Sequence, residues 1–343
     1  MEISQSSSTA NESEKERTVE FAKLLTIIQS AAVAMPKAAI DPDSTLPIAA
    51  PVDSSLIEVE LERLPAQQCL HTYRQFRVYC GSQAQLEATV REITRLREQT
   101  FRAFQEGSGR EVDTDQFDAS YLHLFVWDAQ ARNIVGGYRL GQTDLLREVH
   151  GPEAVYLGMM FDFDDSFYDG PTMLEIGRSF VAIEYQKLHA SLHLLWCGIG
   201  RFVVQNPRYR RLYGVVSLSR LYDSRTIAAI RDALLEPSPG VRAKSAYEPD
   251  LGAEWRGYLA SHHPMAIRDL SALVRALEDE ERDVPVLIRH YHKLGARFVS
   301  AAVDGNFNNT PGLLLSLDIP SIPDKYLKLY LGENVQSFLE YAD

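Results

Sequence analysis

Disulfide chemistry is the first thing this chain cannot support. Its cysteines, Cys69, Cys80 and Cys197, are three among 343 residues; they make no framework and fit a reducing compartment. Positive charge is also scarce. The 35 Lys and Arg face 47 Asp and Glu, a formal balance of −12, and a non-specific nucleic-acid binder, whose footprint is basic, is excluded. Long apolar runs are missing too. The nearest approach, Leu24 to Met35, lies between Lys23 and Lys37 and is interrupted by Thr26, Gln29 and Ser30, so it is too short to cross a bilayer. Glu2, Glu12, Glu14, Glu16 and Glu20 crowd what a secretory leader would keep positive. The run instead predicts an amphipathic helix that docks on the domain or on a membrane surface, in a cytoplasmic protein with at most peripheral contact at the inner membrane face. No His or Cys cluster has zinc-site spacing. His262-His263 and His290-Tyr291-His292 are expected at the surface, and no metal is expected.

What is present is ordinary for a soluble fold, with 45% apolar and 24% charged residues, enough for one large domain or two small ones. The charge is uneven. Residues 175–220 hold Arg178, Lys187, Arg201, Arg208, Arg210, Arg211 and Arg220 against Glu175 and Glu184, whereas 106–118 hold Glu106, Glu111, Asp113, Asp115 and Asp118 against Arg110. Either these stretches present opposite charges to two ligands, or, as charge alone favours, they are two solvated faces.

Residues 1–18 are rich in Ser, Glu, Thr and Asn and are expected to be disordered. A helix is expected near 19–34 and a Pro-rich linker over 36–55. Leu56 to Glu62 alternates apolar and acidic residues and predicts a strand. Gln85 to Phe104 carries apolar residues at helical spacing. Strands are expected at 121–127, 133–140, 173–181 and 212–218, with Gly177 marking a bulge or a close backbone approach. Helices are expected at 189–205 and 225–235, then a loop over 237–249, helical stretches at 269–281 and 286–293, and terminal strands at 297–303 and 312–318.

Several blocks recur in a recognisable order. Leu96-Arg97-Glu-Gln-Thr-Phe101 is followed by Asp115-Gln-Phe-Asp118, then Tyr121 to Asp128, Gly137-Tyr-Arg139, and Leu174-Glu175-Ile-Gly177-Arg178-Ser179. Leu195-Trp196-Cys-Gly198-Ile-Gly200, Asn206 to Ser217, Tyr291 to Arg297 and Asp304 to Asn308 complete the series. Over about residues 56–320 this resembles the GNAT-fold N-acyltransferases of the ornithine-lipid, hemolysin-like and N-acyl amino acid synthase branch, which is similar in outline to acyl-homoserine lactone synthases. The resemblance implies an α/β (α+β) fold with a mixed sheet, helices on its faces and fourth and fifth strands that splay apart. It also implies a bacterial enzyme that moves a long-chain acyl group from acyl carrier protein, or from coenzyme A, to an amine. The expected organisation is then an N-terminal extension over 1–55, the acyltransferase domain over 56–320 and a C-terminal tail over 321–343.

Acyl transfer from a thioester to an amine needs a base, because amino acids are mostly ammonium at neutral pH. Glu175, in an apolar strand beside Gly177 and Arg178, is the expected base; a structural Glu–Arg pair is the alternative. In a regular strand Glu175 and Gly177 share one face and Arg178 the other, and a bulge would change this. Asp115 and Asp118 are candidates for the amine's positive charge. Arg97, Arg139 and Arg178 are candidates to hold a substrate carboxylate bidentately, with Phe101 beside them, and each could equally be the structural partner of an aspartate. Tyr222 is a candidate proton donor to the leaving thiolate, whereas Tyr213 is expected in the core. By the resemblance, Trp196, Gly198, Gly200 and Arg201 lie where the donor's arm binds. Leu195 replaces the first polar residue of the coenzyme-A pattern there, which suits acyl carrier protein, docked on Arg201, Arg208, Arg210 and Arg211. His123 and Asp128 mimic a His-x4-Asp acyltransferase pair but sit in a strand that sends them to opposite faces. An acyl-homoserine lactone-type signal synthase and a non-catalytic lipid- or carrier-binding module are the competing functions. The amine, the chain length and the oligomeric state are open.

Overall fold

The computed structural model describes residues 18–37, 45–151, 154–188, 190–262 and 265–341. The disorder expected at 1–18 and the position of His263 fall outside these residues, apart from residue 18, which lies in a helix over 18–30, α1.

The alternation at Leu56–Glu62 misleads. Ser54–Arg63 is a helix, α2, capped by Asp53, whose carboxylate accepts from the Ser55 N–H at 2.9 Å. Ile57 and Leu61, one turn apart, are its buried residues, while Leu56 and Val59 stay exposed. A cap plus an i,i+4 pair outweighs a short period-two pattern. A hairpin of β1 (Cys69–Tyr73) and β2 (Phe76–Ser82) follows. It leaves little trace in the sequence because β1 is an edge strand with only Leu70 buried.

Next come α3 (Glu87–Ala103), β3 (Leu122–Asp128), β4 (Asn133–Gln142), α4 (Thr143–His150), β5 (Phe161–Phe163), α5 (Asp165–Tyr168) and β6 (Met173–Val181). Then follow α6 (Ala190–Gln205), β7 (Arg211–Ser217), α7 (Ser224–Leu234), β8 (Val241–Ala243), α8 (Ala253–His262), α9 (Ile267–Leu277) and α10 (Val286–Leu294). The chain closes with β9 (Arg297–Asp304), β10 (Thr310–Asp318), α11 (Asp324–Leu331) and α12 (Val335–Leu339). Eight strands form one mixed sheet in the order β1-β2-β3-β4-β6-β7-β10-β9, and β5 pairs with β8 in a separate ribbon. The last two strands are not peripheral additions in sequence order, since β10 inserts between β7 and β9.

Side chains alternate across the sheet. Leu124, Val126, Leu174 and Ile176 join the core beneath α6, α7 and α11, while Phe125, Trp127 and Phe180 join the core beneath α2 and α3. Between these layers the sheet opens. The parallel strands β6 and β7 pair only at Met173–Arg211, Leu174–Leu212 and Glu175–Tyr213, and beyond Glu175 they diverge.

The first and last described segments are folded onto this body. Leu24 and Ile28 of α1 are buried in the main core, and Arg225 and Ser224 donate to the Gln29 and Val33 carbonyls. The expected linker is pinned rather than free over its described part: Leu46 and Ala49 donate to Gly109 and Glu111, and Val52 to the Glu92 carboxylate. The tail beyond residue 320 is helical, and Leu327, Leu331 and Phe338 reach the main core. No helix among the described residues is long and apolar enough to cross a membrane.

Candidate active site

Glu175 ends the short β6–β7 pairing and is buried. Tyr121 donates its hydroxyl to Glu175 Oε2 at 2.9 Å and accepts the Tyr156 backbone N–H at 2.8 Å, so the carboxyl is held on one side by a fixed relay. Gly141 makes this possible, since a Cβ there would collide with the Tyr121 ring. Burial pushes the Glu175 carboxyl up to about 7, against the opposing pull of Tyr121 and of Arg139.

Three residues on, Arg178 has φ +48°, and the β4–β6 register slips between Gly137 and Arg139. The left-handed residue breaks the alternation. Instead of facing α6 with Ile176, Arg178 joins Glu175's side, pairing with Asp113 at 3.3 Å and Asp115 at 3.4 Å and lying over the Tyr156 and Phe307 rings. A non-glycine residue is held in this region only where its surroundings over-determine it, and two carboxylates and two rings do so here.

Around it stands a lattice of three arginines and three aspartates. Arg97 forks onto Asp118 at 2.9 and 3.1 Å and pairs with Asp113 at 3.0 Å. Arg139 contacts Asp115 at 2.6 Å and Asp118 at 3.2 Å. Burial opposes ionisation of Asp118, but Arg97 and Arg139 outweigh it and hold the carboxyl far below its usual range; Arg139 and Arg178 hold Asp115 down in the same way. The charges balance internally, so the acidic stretch is not a solvated face: Glu106, Asp113 and Asp118 are buried. His123 is buried here too, its Nε2 2.9 Å from the Asp118 carbonyl, while Asp128 caps its own turn through the Gln130 and Ala131 N–H groups.

A cavity of about 830 Å³ threads the gap between β6 and β7. Glu175, Arg139, Arg178 and Phe101 line it on the α3 side, and Leu188, Ser191, Leu192 and Leu195 line it where α6 begins. A smaller cavity of about 450 Å³ meets it at Tyr156 and Arg178 and has Asp115 on its wall.

Other expected site residues lie elsewhere. Arg97 is buried against Asp113 and Asp118 and lines neither cavity. Asp118, locked between two arginines, also lines neither. Trp196, Gly198, Gly200 and Arg201 are one to three turns inside α6 and face away from the cavity. Trp196 packs on His290, Tyr291 and Tyr330. A Cβ at Gly198 would strike Val78, and one at Gly200 the Tyr330 carbonyl. The two glycines thus let α6 pack closely against β2 and α11. Arg201 donates to the Leu331 carbonyl, Arg210 to Phe338, Arg211 to Phe167, and Arg208 pairs with Asp144, so the basic stretch is spent on the fold. Tyr222 lines the cavity, but its hydroxyl proton is committed to the Asp283 carbonyl at 2.7 Å and burial pushes it up to about 12. Tyr213 is buried, its hydroxyl 2.9 Å from Thr143 Oγ1. His290 is half-buried against Trp196 rather than at the surface. Among the described residues no His, Cys, Asp and Glu group could hold a metal.

Sequence reasoning gave no site role to Tyr121, Tyr156, Asp113 or Glu106. Asp113 and Glu106 stood in the acidic stretch, but nothing local separates a buried carboxylate from a solvated one. Tyr121 lies at a strand margin and Tyr156 opens a short 3-10 turn, and only long-range packing links them to Glu175.

Residues 96–197 match the family model described as an acetyltransferase (GNAT) domain. The chain is similar to a glycine N(alpha)-acyltransferase of Bacteroides thetaiotaomicron, 38% identical over 40% of this chain and 44% of the relative, so it spans less than half of that relative's length. It is similar to an L-ornithine N(alpha)-acyltransferase of Agrobacterium fabrum at 28% identity, over 66% of this chain and 74% of the relative. Among solved structures it is similar to a CoA-dependent acyl-homoserine lactone synthase at 13% identity, with a TM-score of 0.38 over 76% of this chain and 89% of the other. The match runs from the second half of α3 through β3, β4 and β6 to the middle of α6, elements that supply one wall of the cleft, and it is over these residues that the chain carries a GNAT acetyltransferase domain.

Proposed function

We propose that this protein transfers a long-chain fatty acyl group from a thioester to the α-amine of an amino acid. The observation that carries the reading is Glu175, a buried carboxyl poised near neutrality, placed where two parallel strands part around a largely apolar cavity. A base near 7 is matched to an ammonium substrate at physiological pH.

Glu175 takes a proton from the acceptor's ammonium, and Tyr121 fixes its orientation. The freed nitrogen lone pair attacks the thioester carbon. The C–N bond forms, the C–S bond breaks, and the nitrogen's second proton goes to the departing thiolate, which leaves as a thiol. Of the three arginines, Arg178 is the one suited to the acceptor's carboxylate. Its ion pairs, at 3.3 and 3.4 Å, are the longest in the lattice, and it lines both cavities. Asp115, part-exposed on the second cavity, is placed to attract the ammonium. Glycine and ornithine, the amino acids in the relatives' names, are the first acceptors to try. Acyl carrier protein is the proposed donor and partner, acyl-coenzyme A the alternative. The arm would enter at the first turn of α6, where Ser191 and Leu192 form the cavity's rim. The setting proposed is the cytoplasm, with peripheral contact at the membrane that receives the product.

Lipid mass spectrometry of a bacterial host expressing the wild type or Glu175→Gln tests this. New long-chain amides with the wild type alone are expected. Acyl-homoserine lactones would shift the acceptor class, and identical extracts would overturn the enzyme reading.

A further inference from the structure

Arg110 is the one cation of the acidic stretch 106–118, and it lines the smaller cavity. Its loop is built around Glu98, a fully buried carboxylate that accepts the Ser108 and Gly109 N–H groups at 2.9 and 2.8 Å and the Ser108 hydroxyl at 2.8 Å. Gly107 and Gly109, at φ +90° and +75°, supply the turns this wrapping requires. The backbone that carries Arg110 is thereby fixed. Its side chain is exposed, with Nη2 donating to the Thr114 carbonyl at 2.7 Å.

The charges on this wall do not cancel. They are Arg110, Arg178 and Asp115. Asp115 is already shared: Oδ1 takes Arg139 at 2.6 Å and the Phe117 N–H at 2.9 Å, and Oδ2 takes Arg178 at 3.4 Å. Glu106, Glu111, Asp113 and Asp118 are not on the wall. Among the described residues no carboxylate pairs with Arg110, so one positive charge is left over. Ser108, Thr114, Gln116 and Asn306 bring polar groups to the same wall.

The two cavities meet at Arg178 and Tyr156. With the acceptor's carboxylate on Arg178 and its amine toward Glu175, its side chain has the smaller cavity before it. Glycine would use none of that space of about 450 Å³. A side-chain ammonium would face Arg110, and the one carboxylate on the wall is committed to two arginines.

We propose that the smaller cavity receives the acceptor's side chain and that Arg110 selects one ending in an acceptor oxygen, a carboxylate or a carboxamide, over one ending in an ammonium. The inference rests on the acyl-transfer reading above. A guanidinium is all donor: it gives two N–H groups to a carboxylate, one or two to an amide oxygen, and nothing to a cation.

The test uses the full chain, hexadecanoyl-acyl carrier protein and, separately, hexadecanoyl-coenzyme A as donors, and an equimolar mixture of glutamate, glutamine, glycine and ornithine as acceptors. The ratio of amides formed reads relative kcat/KM and cancels any general loss of activity. Pairing with an exposed arginine is worth up to about fivefold. Attraction of one side chain and repulsion of the other should therefore favour glutamate over ornithine by roughly tenfold, with glutamine between them. Arg110→Ala should reduce that preference severalfold, and Arg110→Glu should invert it. A wild type that prefers ornithine, or a ratio that Arg110→Glu leaves unchanged, would overturn the proposal. So would glycine used far above the other three by the wild type and both variants, because the cavity would then read no side chain. Thermal shift with the same four amino acids gives a readout without turnover. Protection by glutamate should exceed protection by ornithine in the wild type and reverse in Arg110→Glu, and equal protection in both proteins refutes the selection. That reversal without an amide from either donor would refute the enzyme reading alone.

Discussion

Replacing Glu175 with Gln should lower activity and raise stability, and the second effect can be worked out. The Glu175 carboxyl is moved from an ordinary 4.5 to about 7 by burial. Because the folded value is raised, its contribution to stability is fully present below 4.5 and is lost as pH rises through 7. Each pH unit in that window costs the wild type about 1.4 kcal/mol. The loss is about 1.4 kcal/mol at pH 5.5 and about 3 kcal/mol at pH 8. Glutamine keeps the shape and still accepts from Tyr121, but has no proton to lose. The variant's advantage should therefore grow by about 2 kcal/mol between pH 5.5 and pH 8. Urea titrations of both proteins at the two pH values measure this through the unfolding midpoint. A difference that stays constant with pH would mean that Glu175 titrates normally in the folded protein, and the case for a base poised near neutrality would fall with it.

Other expectations concern activity and scaffold. The acceptor's kcat/KM should rise with pH through about 7, where the Glu175 carboxyl loses its proton; a profile flat from pH 6 to 8 would assign the base elsewhere. Arg178→Lys should raise the acceptor's KM well above tenfold and leave the donor's KM within about twofold, since a point charge replaces a planar fork; matched changes in both constants would count against it. Asp118→Asn leaves three arginines facing only Asp113 and Asp115 in a buried lattice and should destabilise the fold by about 3–5 kcal/mol, visible as a fall in Tm. Gly200→Ala should lower Tm by several degrees because of the Tyr330 carbonyl; lost activity at unchanged Tm would restore a donor-binding role for that glycine.

Much of the frame could be read from the chain. The amphipathic spacing of α3, the apolar strands β3, β4, β6 and β7, and the placing of Glu175 beside Gly177 all come from local periodicity. The bulge was legible only as an ambiguity, because Gly177 marked the place while the left-handed residue proved to be Arg178. What failed failed for physical reasons. At Leu56–Glu62 a helix cap and one buried pair overrode alternation. In α6, Gly198 and Gly200 answer to Val78 and Tyr330, residues more than a hundred positions away. Arg201 and Arg210 find backbone carbonyls of α11 and α12, Arg211 one of α5, and Arg208 the Asp144 carboxylate, partners that no local pattern announces. Charge runs state how many charges there are, and only the fold decides whether they meet water, a ligand or each other.

The insertion of β10 between β7 and β9 bears on how the protein is made. While the chain is being synthesised, β7 can pair with β6 as soon as both have emerged, but its other edge has no partner until residues 310–318 follow. At ordinary elongation rates of about 5–20 residues per second, the interval is on the order of 5–20 s. For that time an apolar strand edge is open to other nascent chains, and Thr310 and Gly312, which line the cavity, are not yet in place. The far wall of the cleft is thus among the last parts built, so a truncated or stalled product would carry the matched domain and Glu175 without an enclosed place for an acyl group.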